Sequence, residues 1–323
     1  MISNQKKILL LILISILSLL SILLVTIAFW FQHPQKNPQA VVLIEKGSSL
    51  SDIATTLSAQ NVLDFPFLFK TTLYGTISWR DLKAGEYFIP ANVTPAQLIH
   101  ILKSGEVILH PLTVIEGETS HQFTQKLLQD VRFTGVSEVP PEGRLLPETY
   151  YFPRGTDRKK IMARLQKAMS EALADAWAKR APDHPLKSPD ELLILASIIE
   201  KETRLAPERP IVAAVFLNRL KQNMPLQADP TVLYGLQREG GKELSLSDLK
   251  KETPYNTYLI QGLPPTPIAN PGRACLKAVA TPAEVPYVYF VADGSGGHVF
   301  ATTLEEHEKN HSNWRKIRDS KTQ

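Results

Sequence analysis

The first hydrophobic segment of the chain is far longer than any that follows it. Ile8–Phe31 contains 24 residues and no charged one, so as a helix it would be about 36 Å long and could cross a bilayer. Lys6 and Lys7 precede it, which predicts an N-terminus held in the cytoplasm. A cleaved signal peptide is the alternative, but the run is too long and no small-x-small cleavage site follows it. The pattern predicts three segments: a cytoplasmic tail over 1–7, a single transmembrane helix over 8–31 and an extended linker over 32–40.

Short strands and short amphipathic helices alternate after the linker. The residues predict a strand, two helices, a strand and a capped helix, at Val41–Ile44, Ser48–Ala59, Pro66–Tyr74, Glu86–Ile89 and Pro95–Lys103. Thr94 and Gln97 form a capping box at the start of the last helix. With the phrases GSSLSDIA and KAGEYFIP, the stretch 41–108 resembles a small LysM-like module, a fold that grips N-acetylglucosamine polymers. A generic α+β packing module is the alternative.

The remaining stretch, 109–323, opens with a predicted strand at Leu112–Ile115 and a capped helix in GETSHQFTQKLL. Helices and short strands then mix without the regular alternation of a parallel α/β sheet. We therefore predict an α+β fold for this domain, with a mobile first half around Val139–Arg154.

Composition narrows the function classes. The net charge is +4, with 36 basic and 32 acidic residues and no long basic run, so nucleic-acid binding has little support. Cys275 is the only cysteine of the sequence, which excludes an intrachain disulfide and a cysteine-rich metal site. We predict no cofactor and no bound metal.

The segment SPDELLILASIIEKET predicts a helix that carries chemistry at its end. Ser188 caps it, and Leu192, Leu195, Ala196 and Ile199 fall on one stripe. Glu200 lies on one margin of that stripe and Glu202 on the other, roughly 200° away, so the two cannot form a carboxylate pair. Apolar neighbours and the helix C-terminus both disfavour a charged carboxylate at Glu200, which suits a general acid. The alternative is a structural glutamate paired with an arginine such as Arg209 or Arg219.

A second helix from Glu208 to Lys221 and the segment MPLQADPTVLYG follow, where Asp229-Pro230 predicts an N-cap and a first turn. The proline-rich loop TPYNTYLIQGLPPTPIANPG comes next. Flat rings and amide groups of the kind found here are typical of sugar sites, although scaffolding of the loop is the alternative for each. The candidate substrate-binding residues are Gln227, Asp229, Tyr255, Asn256, Tyr258 and Asn270.

Five segments in this order closely resemble the endolytic murein transglycosylases of the YceG-like (MltG) family: ASIIEKET, ERPIVAAVFLNRL, PLQADPTVLYG, YNTYLIQGLPPTPIANPG and YVYFVADGSGGHVF. The resemblance covers essentially the whole chain and implies that 109–323 is the catalytic domain, with Glu200 as the catalytic residue. It also implies a single-pass protein of the cell inner membrane with a periplasmic catalytic domain. Such an enzyme cleaves nascent peptidoglycan strands internally to give 1,6-anhydro-N-acetylmuramic acid ends, which terminates strand elongation. Peptidoglycan synthases are the candidate protein partners.

Two rival functions belong to other classes. His307 and His311 match the H-E-x-x-H pattern of zinc proteases, but their segment LEEHEKNHSNWRK is polar and predicts a solvated helix. Gly294–Gly297 predicts a hairpin turn rather than a phosphate loop. The second rival is a non-catalytic membrane-anchored scaffold that binds peptidoglycan, in which Glu200 would be structural.

Overall fold

The structure, a computed structural model, describes residues 4–75, 77–238 and 244–321. The first three residues of the predicted tail and the last two of the chain lie outside the described residues. The chain forms two compact units, Met1–His110 with Tyr151–Gly155, and Pro111–Tyr150 with Thr156–Gln323. Both units mix helices and strands.

Helix α1 (Asn4–Gln32) contains the predicted membrane segment. Its span Gln5–Gln32 contains an 18-residue stretch with a mean hydropathy of 3.2 and is long and apolar enough to cross a membrane, which fits a single-pass anchor. Trp30 and Phe31, near its end, pack against the core of the first unit.

The first unit folds as its sequence pattern predicts. Strand β1 (Ala40–Ile44) pairs antiparallel with β2 (Gly85–Ile89), with Val42 opposite Tyr87. Around this sheet lie α2 (Leu50–Ala59), α3 (Pro66–Tyr74), a 3₁₀ turn (Ile77–Asp81) and α4 (Pro95–Ser104). The Thr94–Gln97 capping box is present, whereas Ser49 rather than the predicted Ser48 caps α2. The likeness of this unit to a LysM module stays a prediction.

The rest of the chain is mainly helical. The elements in order are β3 (Leu109–Thr113), α5 (Ser120–Gln129), β4 (Thr149–Pro153), α6 (Arg158–Ala178), α7 (Pro189–Glu202), α8 (Arg209–Lys221), α9 (Asp229–Gly235), a 3₁₀ turn (Asp248–Lys250), α10 (Arg273–Ala280), β5 (Tyr289–Ala292), β6 (His298–Ala301) and α11 (Leu304–Lys321). Strand β3 begins three residues before the predicted strand and pairs with β4, while β5 and β6 form the predicted hairpin. The segment predicted to be mobile contains β4 and the fully buried Leu145 and Leu146.

Helix α7 lies at the centre of the second unit, in contact with α6, α8, α9 and α10. Every residue from Leu192 to Ile199 is buried, so the predicted single apolar stripe is wrong. A helix that is apolar nearly all round is a core helix. The charged residues of α7 lie at its two ends, and Ser197 is a buried polar residue between them. The two glutamates at its C-terminal end are therefore placed by a rigid, buried support.

Candidate functional site

Glu200 and Glu202 end α7, and their side chains enter different surroundings, as their helical spacing predicts. Each glutamate can therefore be assessed by the groups that contact it. The acid of a proton-transfer reaction must be reachable by substrate, and its environment must favour the protonated form at working pH.

The Glu200 side chain is closed off from solvent. It is 4% exposed, and its Oε1 lies 3.7 Å from Nη2 of Arg209. Its Oε2 accepts a hydrogen bond of 2.7 Å from the backbone N–H of Gly272. Arg209 also lies 3.5 Å from the carboxylate of Glu116. These contacts fit the alternative of a structural glutamate paired with Arg209, and the catalytic role of Glu200 stays a prediction.

The loop that covers Glu200 is tightly packed. A side chain at Gly272 would place its Cβ 2.3 Å from Oε1 of Glu116, so this approach requires glycine unless Glu116 moves. The backbone N–H of Ile268 donates to Ser197 on α7 at 3.0 Å. Burial raises the pKa of the Cys275 thiol on α10, and a hydrogen bond to Glu200 and its nearby charge contribute. Glu200 thus ties the loop and α10 to α7.

Glu202 has a different environment. Burial raises the pKa of Glu202 to about 8; the nearby charge of Asp229 adds to the rise, and Arg219 opposes it. Within the part of the chain that the structure describes, nothing donates a hydrogen bond to its carboxyl group or forms an ion pair with it. The residue as a whole is half-buried. A carboxylic acid that is still protonated near neutral pH and is not held by a partner suits a general acid.

Three of the predicted substrate-binding residues gather on this side of α7. The Tyr258 hydroxyl donates to Oδ1 of Asp229 at 2.6 Å, and burial together with this bond raises the pKa of Tyr258. Arg219 reaches Oε1 of Gln227 at 3.3 Å. The predicted N-cap role of Asp229 is wrong, because Ala228 occupies that position and Asp229 is the first residue of α9. Its carboxylate is instead used by Tyr258.

Arg219 is buried and holds the backbone next to these residues in place. It donates to the carbonyl oxygens of Val288 at 2.6 Å and Leu226 at 2.8 Å, and its guanidinium lies 5.3 Å from the ring centre of Tyr289. These bonds fix the loop before α9 and the hairpin strand β5 against α8. We use the name Glu202 cluster for Glu202, Asp229, Tyr258, Arg219 and Gln227.

The other predicted binding residues lie elsewhere in the second unit. Asn256 and Asn270 are fully buried. The Asn256 amide donates to Leu249 and Lys251 carbonyls, and the Asn270 amide donates to the Glu118 carbonyl. Both amides therefore stabilise loops, and a role in substrate binding stays a prediction for them.

Tyr255 is half-buried and packs edge-on against Tyr234, with ring centres 4.9 Å apart. Next to this pair lies Glu142, which the sequence reasoning did not single out. Its carboxylate accepts from the backbone of Ser120 at 2.7 Å, and the Tyr234 hydroxyl lies 3.5 Å away. Burial raises the pKa of Glu142. Glu142 is the first residue of the segment EGRLLPETYYFP, to which the sequence analysis assigned no function.

The HEKNH segment lies on α11, where the predicted solvated face is wrong in part. His307 is half-buried and stacks on Tyr289 at 5.0 Å and on His311 at 6.2 Å, so burial lowers the pKa of His307. Among the described residues, no group of three histidine, cysteine, aspartate or glutamate side chains could hold a metal ion. The two histidines serve packing in this structure.

Comparison with known proteins agrees with this architecture. The model of the YceG-like family matches residues 42–313. An endolytic murein transglycosylase of Bacillus subtilis is 32% identical over 303 residues, covering 82% of each chain. One of Streptococcus pneumoniae is 28% identical over 317 residues, covering 83% of this chain and 57% of its own length. A crystal structure of a YceG-like protein from Listeria monocytogenes superposes with a TM-score of 0.53 at 30% identity, covering 84% of this chain and 99% of that one. The chain belongs to the YceG-like family.

Proposed function

We propose that this chain is a membrane-anchored lytic transglycosylase that cleaves peptidoglycan strands internally. The family, the names of its relatives and the anchor-like α1 support this class. The substrate bond would be the one between N-acetylmuramic acid and N-acetylglucosamine. The single observation that carries the chemistry is the Glu202 cluster, in which Asp229 lies near a carboxyl group whose pKa is raised and to which no described residue donates a hydrogen bond.

Two glutamates compete for the catalytic role. The resemblance of EKET to the family motif predicts Glu200, but the surroundings of Glu200 suit a buried structural carboxylate. The surroundings of Glu202 suit an acid that must lose and regain a proton. We therefore propose Glu202 as the acid and base of the reaction, and Glu200 as the residue that holds the loop and α10 in place.

The reaction would proceed in two proton transfers at one carboxyl group. Protonated Glu202 donates its proton to the glycosidic oxygen, and the bond from that oxygen to C1 of the muramic acid breaks. The resulting carboxylate takes the proton from the C6 hydroxyl of the same sugar while O6 bonds to C1, which closes the 1,6-anhydro ring. Ordinary glycosidases use two carboxylates. One suffices here because the nucleophile belongs to the substrate and is already positioned near C1.

Asp229 and Tyr258 would tune this cycle. The negative charge of Asp229 favours the protonated form of Glu202 before cleavage. The Tyr258 hydroxyl holds Asp229 through the 2.6 Å bond and keeps its charge in position. Arg219 moderates the effect, which lets the carboxylate form transiently between the two transfers.

We also propose where in the cell the enzyme acts and which groups it meets there. Lys6 and Lys7, which precede the apolar run of α1, would hold the N-terminus in the cytoplasm and so leave the second unit in the periplasm, outside an inner membrane. There the enzyme would cut strands as they are synthesised and end their elongation, beside peptidoglycan synthases. The LysM-like unit would hold N-acetylglucosamine residues of the strand.

Mass analysis of muropeptides released from purified sacculi tests the reaction class. Products of the full-length chain should end in 1,6-anhydro-muramic acid and be lighter by one water than lysozyme products. Reducing muramic ends would show that water is the nucleophile and would overturn the transglycosylase proposal. Release of no products by folded protein that binds sacculi would favour the non-catalytic scaffold.

A further inference from the structure

The joint between α1 and the first unit is fixed by hydrogen bonds. The side-chain Oε1 of Gln35 accepts from the backbone of Asp64 at 2.8 Å, and its own backbone donates to Val93 at 3.0 Å. The Asn37 side chain donates to Pro90 and accepts from Val93, both at 2.9 Å. Gln35 and Asn37 are both buried, although they lie in the predicted linker. The end of α1 therefore has a defined position on this unit.

This joint brings an aromatic pair next to the end of the anchor. The ring of Phe65, the residue before α3, lies 6.5 Å from the ring of Trp30 in an edge-on arrangement. Phe65 follows Asp64, which Gln35 holds. Phe65 is 55% exposed and Phe67, two residues on, is 69% exposed. Two neighbouring phenylalanines thus lie open to the surroundings beside the last turn of α1.

The length of the anchor sets the depth of Trp30. A hydrocarbon core of about 30 Å takes about 20 helical residues, so the 24-residue apolar run places its terminal aromatic residues at the membrane–water interface. Because Phe65 touches Trp30 and Phe67 follows within about 7 Å of chain, both lie at a similar depth. Phenylalanine, like tryptophan and leucine, is typical of the apolar face of a helix that enters this layer.

We propose that Phe65 and Phe67 form a second membrane contact, in which the N-terminal end of α3 inserts into the lipid interface beside α1. Scattered exposed aromatic residues are common on soluble surfaces. What distinguishes this pair is its continuity with the anchor and the hydrogen-bonded joint that fixes it there. The contact holds the first unit on the bilayer surface instead of letting it swing on a linker. The inference rests on α1 crossing the membrane.

The test uses the full-length chain in lipid nanodiscs with an environment-sensitive nitrobenzoxadiazole label on a single introduced cysteine. The native Cys275 is fully buried, so the unsubstituted chain measures background labelling. Phe67→Cys reports on the proposed contact. Phe29→Cys, at a 60% exposed position on α1, is the matched reference for interfacial depth. The free cysteine adduct in buffer is the reference for water.

We expect the label at Phe67 to show blue-shifted emission and quenching by brominated lipids comparable to the label at Phe29. Emission at Phe67 like that of the free adduct, with Phe29 still quenched, would overturn the inference and leave the anchor intact. Water-like emission at both positions would overturn the membrane-spanning assignment of α1 together with the inference.

Discussion

Replacing Glu202 with glutamine should remove activity and, at alkaline pH, make the protein more stable. The folded-state pKa of Glu202 is raised from 4.5 to about 8, so between these pH values the folded chain binds more protons than the unfolded chain. The free energy of unfolding therefore falls as pH rises from 4.5 to 8. Glutamine does not titrate, so Glu202→Gln loses this penalty. The gain should be absent below pH 4.5 and complete above pH 8.

The size of the gain follows from the shift. One pKa unit corresponds to about 1.4 kcal/mol, so a shift from 4.5 to about 8 bounds the cost of ionisation at roughly 5 kcal/mol. Relaxation of the protein and entry of water when the group ionises lower this cost, so we expect a gain on the order of 2 kcal/mol. For a domain of this size that gain raises Tm by about 4–8 °C.

The assay is thermal unfolding of the full-length chain in detergent, followed by near-ultraviolet circular dichroism at pH 4.5 and pH 9. The matched control is Glu200→Gln, which weakens the contact to Arg209 and should lower Tm at both pH values. Other groups titrate alike in wild type and variant, so the difference isolates Glu202. Equal Tm values for wild type and Glu202→Gln at pH 9 would refute the assigned environment of Glu202.

Three further predictions concern the surrounding groups. Asp229→Asn keeps the acceptor for Tyr258 but removes the charge, so the alkaline limb of the kcat/KM profile should move to lower pH; a uniform loss of rate without that shift would contradict the tuning role. The double variant His307→Ala with His311→Ala should lose about 1 kcal/mol of stability, because the stacking on Tyr289 is lost. Chelators should leave cleavage of peptidoglycan intact. Stoichiometric zinc in the purified protein that is absent from the double variant would instead support the zinc-protease alternative. The C-terminus is expected outside the cytoplasm, so a reporter fused after Gln323 should be active only there. Activity of that fusion in the cytoplasm would overturn the predicted orientation of the chain in the membrane.

Local signals in the sequence predicted the elements well because they act over a few residues. Thr94 with Gln97, and Ser188 before Pro189, fix helix starts through contacts to the next turn, and both caps are present. Two caps differ from the prediction: Ser49 rather than Ser48 caps α2, and Ala228 rather than Asp229 occupies the cap position of α9. The second difference has a physical reason. Asp229 had the right residue type for a cap, but Tyr258, which is distant in sequence, uses its carboxylate.

The site was harder to predict because its character depends on distant partners. The sequence separates Glu200 from Gly272 by 72 residues, and the hydrogen bond between them holds the loop against the Glu200 side chain. Helical periodicity predicted that the two glutamates point apart, but it could not show which of the two side chains is closed off from solvent by a distant loop. The raised pKa of Glu202 needs the burial of α7 and the placement of Asp229, and both come from packing.

The central claim is tested most directly by the cleavage rates of Glu202→Gln and Glu200→Gln on purified sacculi, each corrected for the folded fraction. General acid–base catalysis is worth roughly 10²–10⁴-fold, and one group serving both transfers should place the loss for Glu202→Gln near the upper end. Glu200→Gln should lose less, with 1,6-anhydro products unchanged. Near-normal cleavage by Glu202→Gln, together with complete loss in folded Glu200→Gln, would contradict the account and return the catalytic role to Glu200.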